Sequence, residues 1–147
     1  MVIKPMKSFL TIEEEQAVAD AICATEAQTS GEIRVAITMR YVFRPERHAR
    51  RLFAKLGMDR TRHRNGALIV LFARRRRFVV LGDSGIDQHV GPTYWQDIAA
   101  GMSALLHAGR KVDALTHAIH ALGKTMASHF PPEEVNPEEL PNAIACD

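Results

Sequence analysis

Oxygen-bearing side chains are the first residues whose types and spacing suggest chemistry. The stretch "GDSGID", residues 82–87, sets Asp83, Ser84 and Asp87 around two glycines. Glu32 opens the run "EIRVAIT", and Asn65 opens "NGALIVLFA". Hard cations such as Ca²⁺ prefer carboxylate, amide and hydroxyl oxygens. Glu32, Asn65, Asp83 and Asp87 therefore form a candidate metal set, with Ca²⁺ the candidate cation, if the fold gathers them. The alternative is structural: aspartates in tight glycine loops accept bonds from backbone N–H groups and cap the turn that follows. "GDSG" also has the look of a serine nucleophile motif, but the chain is too short and too helix-rich for that double β-barrel.

A second set of candidates is cationic. Between Arg40 and Arg77 the chain carries 13 Lys or Arg against two acids, Glu46 and Asp59, a net +11 within a total of only +2. Arg60, Arg62 and Arg64 precede Asn65 and are candidate phosphate holders. Arg44, Arg47, Arg51 and Lys55 share one helix face, a candidate surface for anionic lipid, protein or nucleic acid. Arginine-rich segments bind phosphates with a steep salt dependence. Nucleic acid is not the expected partner: aromatics for stacking bases are few (Tyr41, Phe43, Phe53 and Phe72, two expected to be buried), and no nucleic-acid-binding motif is present. Arg74 to Arg77 read as the solvated corner of a hairpin.

Other chemistries lack their residues. There is no Gly-x-Ser-x-Gly elbow, P-loop, His-Glu-x-x-His or Gly-x-Gly-x-x-Gly. Cys23 and Cys146 have no metal-ligand spacing, and Cys23 is expected as a small buried hydrophobe. His117 and His120 are one turn apart without a third ligand, so a solvated helix face is expected. His48 and His63 lie in the basic segment and add to its charge.

The elements that would position these residues follow from periodicity. Thr11 and Glu14 form a capping box, opening a helix expected over Ile12 to Gln28. "EIRVAIT" alternates as a strand. Pro45 starts a second helix with Ala49, Leu52, Phe53 and Leu56 on one stripe, stopped at Gly57. "ALIVLFA" reads as a central strand covered on both faces. "FVVLG" follows too soon for a crossover helix, so it pairs antiparallel with it. Two helices follow, one with Trp95, Ile98, Met102 and Leu105 on its stripe, the next with Val112, Leu115, Ile119, Leu122 and Met126. The order predicts a three-layer α/β/α sandwich over residues 1–130, its mixed sheet extended by the hairpin. Residues 131–147, with five acids and no Lys or Arg, read as an acidic Pro-rich tail along the surface. A right-handed crossover would bring Glu32, Asn65 and Asp83 to one rim. That rim is opposite the carboxyl ends where open α/β sheets usually bind ligands.

The longest apolar run, Ala67 to Ala73, is far short of the roughly 20 residues that span a bilayer. The N-terminus has no apolar signal core, so the expected location is cytoplasmic, peripheral at the membrane if the basic face docks there.

"TSGEIRVAIT", "LFAKLGMDRTRHRNGALIVLFA", "RRFVVLGDSGID", Trp95 and the later "FPP" and "NPEELPN" together closely resemble the TPM domain family. The match runs nearly the whole chain in order and is closest to short bacterial members without a signal peptide. The resemblance implies a Rossmann-like α/β/α sandwich. It also implies association with LemA-type membrane proteins or longer, membrane-anchored TPM proteins. Some plant members are described as acid phosphatases, and some members bind calcium. Glu32, Asn65, Asp83 and Gly85 keep the family pattern. Arg64 stands where the family commonly has an acid, and a guanidinium there would repel a cation. The leading expectation is a binding or accessory module holding a divalent cation at the Asp83 rim. One alternative is a metal-assisted acid phosphatase, in which the cation polarises a phosphoryl oxygen. The other is a basic-surface binder of anionic lipid or nucleic acid.

Overall fold

The computed structural model describes residues 9–133 and the backbone of 144–146. The acidic stretch 134–143 and the first eight residues lie outside the described residues.

The Thr11 hydroxyl accepts from the Glu14 N–H at 3.1 Å, and the Glu14 carboxylate accepts from the Thr11 N–H at 2.9 Å. That reciprocal cap starts α1 (Ile12–Glu26). Strand β1 (Glu32–Thr38) follows, then α2 (Pro45–Lys55) with proline in its first turn, where its missing N–H costs nothing. Strand β2 (Gly66–Phe72) is fully buried, as its unbroken apolar run requires. A 3₁₀ turn (Ala73–Arg75) closes on Arg76, held at φ 50°, and returns the chain as β3 (Arg77–Gly82). A one-turn α3 (Ser84–Asp87) leads to α4 (Tyr94–His107) and α5 (Lys111–His129), and β4 (Ile144–Cys146) ends the described chain.

The sheet order is β3-β2-β1-β4. β1 and β2 are parallel from Glu32↔Gly66 to Thr38↔Phe72, and β3 is antiparallel to β2 from Ala67↔Gly82 to Phe72↔Arg77. Alternate residues of each strand face opposite layers. Ile33, Val35, Ile37, Ile69 and Leu71 pack against α1, α4 and α5, whereas Ala36, Leu68, Val70 and Phe72 pack beneath α2. The fold is therefore the expected three-layer sandwich with a mixed sheet.

Three details differ from the sequence reading. Part of the expected tail is a strand: Ile144–Cys146 pairs in parallel with β1 at Val35↔Ile144. Three residues after a Pro- and Glu-rich stretch show no periodicity, so that strand had no local signal. Cys23 is exposed, because the buried stripe of α1 runs through Val18, Ile22 and Thr25 and leaves it on the flank. His48 turns inward from the cationic face of α2, edge-on to the buried Phe72 ring at 5.8 Å.

No helix among the described residues is long and apolar enough to cross a membrane.

Candidate functional site

The rim at the start of β2 and the end of β3 holds most of the expected oxygen set. Asp83, only 7% exposed, follows β3 directly and caps α3, its Oδ1 accepting from the Ser84 N–H at 2.7 Å. Arg64 lies beside it across the ladder and grips it with two bonds, Nε to Oδ2 at 2.6 Å and Nη2 to Oδ1 at 2.9 Å. The bonds and charge of Asp83 push the Arg64 pKa above its already high usual value. Arg64 reaches this geometry from a left-handed backbone, φ 52°. Its carbonyl accepts from the Gly85 N–H at 2.8 Å, and a Cβ at Gly85 would collide with the carbonyl oxygens of His63 and Arg64. Glycine is what lets the two loops close.

Asn65, 1% exposed, is built in from three sides. Its N–H donates to the Thr61 hydroxyl, its carbonyl accepts from the Glu32 N–H at 3.3 Å, and its Nδ2 donates to the Ser30 hydroxyl at 3.3 Å. Asp87 turns to α4 instead, accepting from the Trp95 indole N–H at 2.9 Å. Among the described residues no group of three His, Cys, Asp or Glu side chains is placed to hold a metal. The topology thus brings Glu32, Asn65 and Asp83 to one rim as expected. The site residues present do not fit a resident cation, because a guanidinium occupies the Asp83 carboxylate and an indole engages Asp87.

The expected anion holders are likewise engaged. Arg62 contacts Glu133 at 3.3 Å, with His63 on the other oxygen of the same carboxylate at 2.5 Å. With Arg64 on Asp83, two of the three arginines face protein carboxylates, and only Arg60 is left as an exposed cation without a described carboxylate partner. They do not form a phosphate cradle.

The opposite rim, at the carboxyl ends of β1 and β2, is built differently. The loop from β1 to α2 exposes Tyr41 (65%) and Phe43 (80%), two of the large hydrophobic side chains that meet solvent. The hairpin corner folds against that loop. Arg75 donates through Nη1 to the carbonyls of Val42 at 3.0 Å and Phe43 at 3.1 Å. Its guanidinium lies 5.4 Å from the centre of the Tyr41 ring, within cation–π range. Arg77 pairs with Glu46. Arg74 and Arg76 are exposed at the corner, and Arg44 and Arg47 are exposed at the start of α2. All four residues of the expected partner surface are exposed, but Arg51 and Lys55 lie on later turns of α2, leading away from this loop. The +11 segment is thus divided between two ends of the molecule. The hairpin corner, expected as a solvated tip, also holds the loop that carries the two exposed aromatics.

An α/β sandwich with a Rossmann-like crossover and a rim glycine loop defines the class of domain. A TPM domain model matches residues 3–125, and the chain belongs to that family. Among solved structures it is similar to the BA42 protein of the psychrophilic bacterium Bizionia argentinensis, at 33% identity and a TM-score of 0.87 over 99% of this chain and 100% of that one. An N-terminal domain from P. gingivalis shares the fold at 17% identity and a TM-score of 0.71, covering 85% of this chain and 83% of that one. The N-terminal domain of the cg2496 protein of Corynebacterium glutamicum does so at 12% identity and a TM-score of 0.65, covering 91% and 84%. No curated protein matches the chain.

Proposed function

We propose that the chain is a peripheral accessory module that docks on an anionic membrane surface through the Tyr41–Phe43 loop and its surrounding arginines. The observation that carries this reading is Phe43, the most exposed large hydrophobic residue described, set on a backbone that Arg75 pins from below. A tyrosine such as Tyr41 rests at the headgroup level, an apolar ring such as Phe43 buries at the headgroup–acyl boundary, and each Lys or Arg near an anionic leaflet adds about 1 kcal/mol of attraction. Arg44, Arg47, Arg74 and Arg76 supply that charge around the loop. The anionic leaflet is the cytoplasmic one, which agrees with the expected location, and LemA-type or longer TPM proteins would share the same surface. The metal-assisted phosphatase has weaker support, since Arg64 already holds its carboxylate Asp83 and Arg62 is paired with Glu133.

The test is co-sedimentation with phosphatidylglycerol-containing vesicles and with purely phosphatidylcholine vesicles. Binding should require the anionic lipid, weaken as salt rises, and drop about tenfold in Phe43→Ala, which loses most of a buried aromatic's transfer energy. Equal binding to neutral vesicles, or none to either, overturns the reading. Tight, salt-sensitive binding to generic RNA that ignores Phe43→Ala would favour nucleic acid instead.

A further inference from the structure

β3 is an outer strand, and β2 is its strand partner among the described residues. The phase of their ladder follows from one bond, Asp83 N–H to the Gly66 carbonyl at 2.9 Å. Bonded pairs alternate in an antiparallel ladder. Leu81, Val79 and Arg77 therefore turn their backbone groups toward β2, while Gly82, Val80 and Phe78 turn theirs outward. Outward N–H and C=O groups at two-residue spacing form a template that another extended backbone matches.

A groove of about 650 Å³ runs along this edge, between α2 and α4. Phe53 lines one wall, and Trp95, Ala99 and Ala100 line the other. The small residues of α4 leave the space open, and Trp95 closes one end over Gly82, where a Cβ would strike the indole. The two ends carry opposite charge. At the start of β3, Arg50 remains beside the Glu46–Arg77 pair; at its end, Asp87 is exposed beside Trp95.

We infer that this groove binds an extended peptide that adds to β3 as an antiparallel strand, with a basic residue at its N-terminal side over Asp87 and an acidic residue at its C-terminal side over Arg50. The antiparallel sense is the more stable pairing and repeats the one β3 already makes with β2. It also sets the peptide's amino end at the acidic end of the groove and its carboxyl end at the basic one. Successive side chains of the peptide would face opposite walls, one alternating set beside Phe53 and the other over Ala99. The inference is independent of membrane docking, which uses the loop beyond Arg77.

The experiment titrates the isotope-labelled protein with a probe of roughly eight residues, alternating valine and threonine, lysine at the N-terminal end and glutamate at the other. The Val80 and Gly82 amides should shift and gain exchange protection, while those of Val79 and Leu81, already bonded to β2, change little. A probe N-methylated at the residues facing Val80 should bind about tenfold more weakly, having lost backbone bonds but no side chain. Three results overturn the inference: no shift at millimolar probe, equal binding of the N-methylated probe, or sedimentation showing that the edge is covered by a second copy of this chain.

Discussion

At the scale of single residues, Asp83 has two roles that can be separated. It caps α3 and it balances Arg64. Asn caps a helix as well as Asp does, whereas Ala does not. Asp83→Ala should therefore fall about 1 kcal/mol below Asp83→Asn in urea unfolding. The drop from wild type to Asp83→Asn reads the ion pair, and it should be the smaller step, since the Arg64 side chain is half exposed and its charge is screened by water. Both residues stood out in the sequence, but as opposite candidates, one for a cation and one for an anion. The topology that placed Asn65 and Asp83 on one rim also placed the preceding residue there. Their pairing was legible once neighbouring side chains were weighed against each other rather than against absent ligands. Glu14 offers a second case. Its bond from the Thr11 N–H, aided by Lys111 at 3.3 Å and opposed by partial burial, holds its carboxyl below the usual carboxylate range. A depressed folded pKa means that this stability is present above the usual range and lost as pH falls through the folded value. Glu14→Gln keeps the capping box but not the charge. Its melting temperature should trail wild type at neutral pH and converge with it in acid.

At the scale of elements, strand and helix identity was readable because burial on two faces leaves continuous apolar runs, and burial on one leaves a stripe. What periodicity does not encode is close approach. α1 crosses α5 where Thr25 meets Gly123, and a Cβ at Gly123 would strike the Thr25 methyl. Neither residue draws notice in the sequence, since a glycine inside a helix looks like a simple weakness. Gly123→Ala should destabilise by about 1–3 kcal/mol as an overpacked contact, despite its better helix propensity. Thr25→Ala removes the obstructing methyl, so the double variant should recover most of the loss. Additive losses in a double-mutant cycle would show that the crossing is not set by this contact. The same logic makes Gly85→Ala costly with no such rescue, because the obstruction there is backbone. β4 is the opposite case: its pairing with β1 is a matter of tertiary reach, and three residues carry no pattern by which to read it.

At the scale of the whole molecule, the decisive property is where charge sits rather than how much there is. The formal net charge is +2, and the basic segment that outweighs the acids elsewhere is split between two rims. Arg60 and Arg62 belong to the Glu133 and Asp83 end; Arg74 and Arg76 belong to the end with Tyr41 and Phe43. Sequence counting merges these into one run, and it scored the aromatics as too few to stack bases. An interface needs only the exposed ones, beside the right charges. This separation makes a clean comparison possible. Arg60→Glu with Arg62→Glu, and Arg74→Glu with Arg76→Glu, lower the net charge by the same amount at opposite ends. If long-range attraction of the whole chain governed adsorption to anionic vesicles, both double variants would lose it alike. Local docking by the aromatic loop predicts otherwise. The Arg74 and Arg76 reversal should abolish co-sedimentation, while the Arg60 and Arg62 reversal should leave it near wild type at moderate salt, where charges beyond a Debye length of about 8 Å are screened from the surface. Thermal melts of both variants, run beside the vesicle assay, would separate lost docking from lost folding.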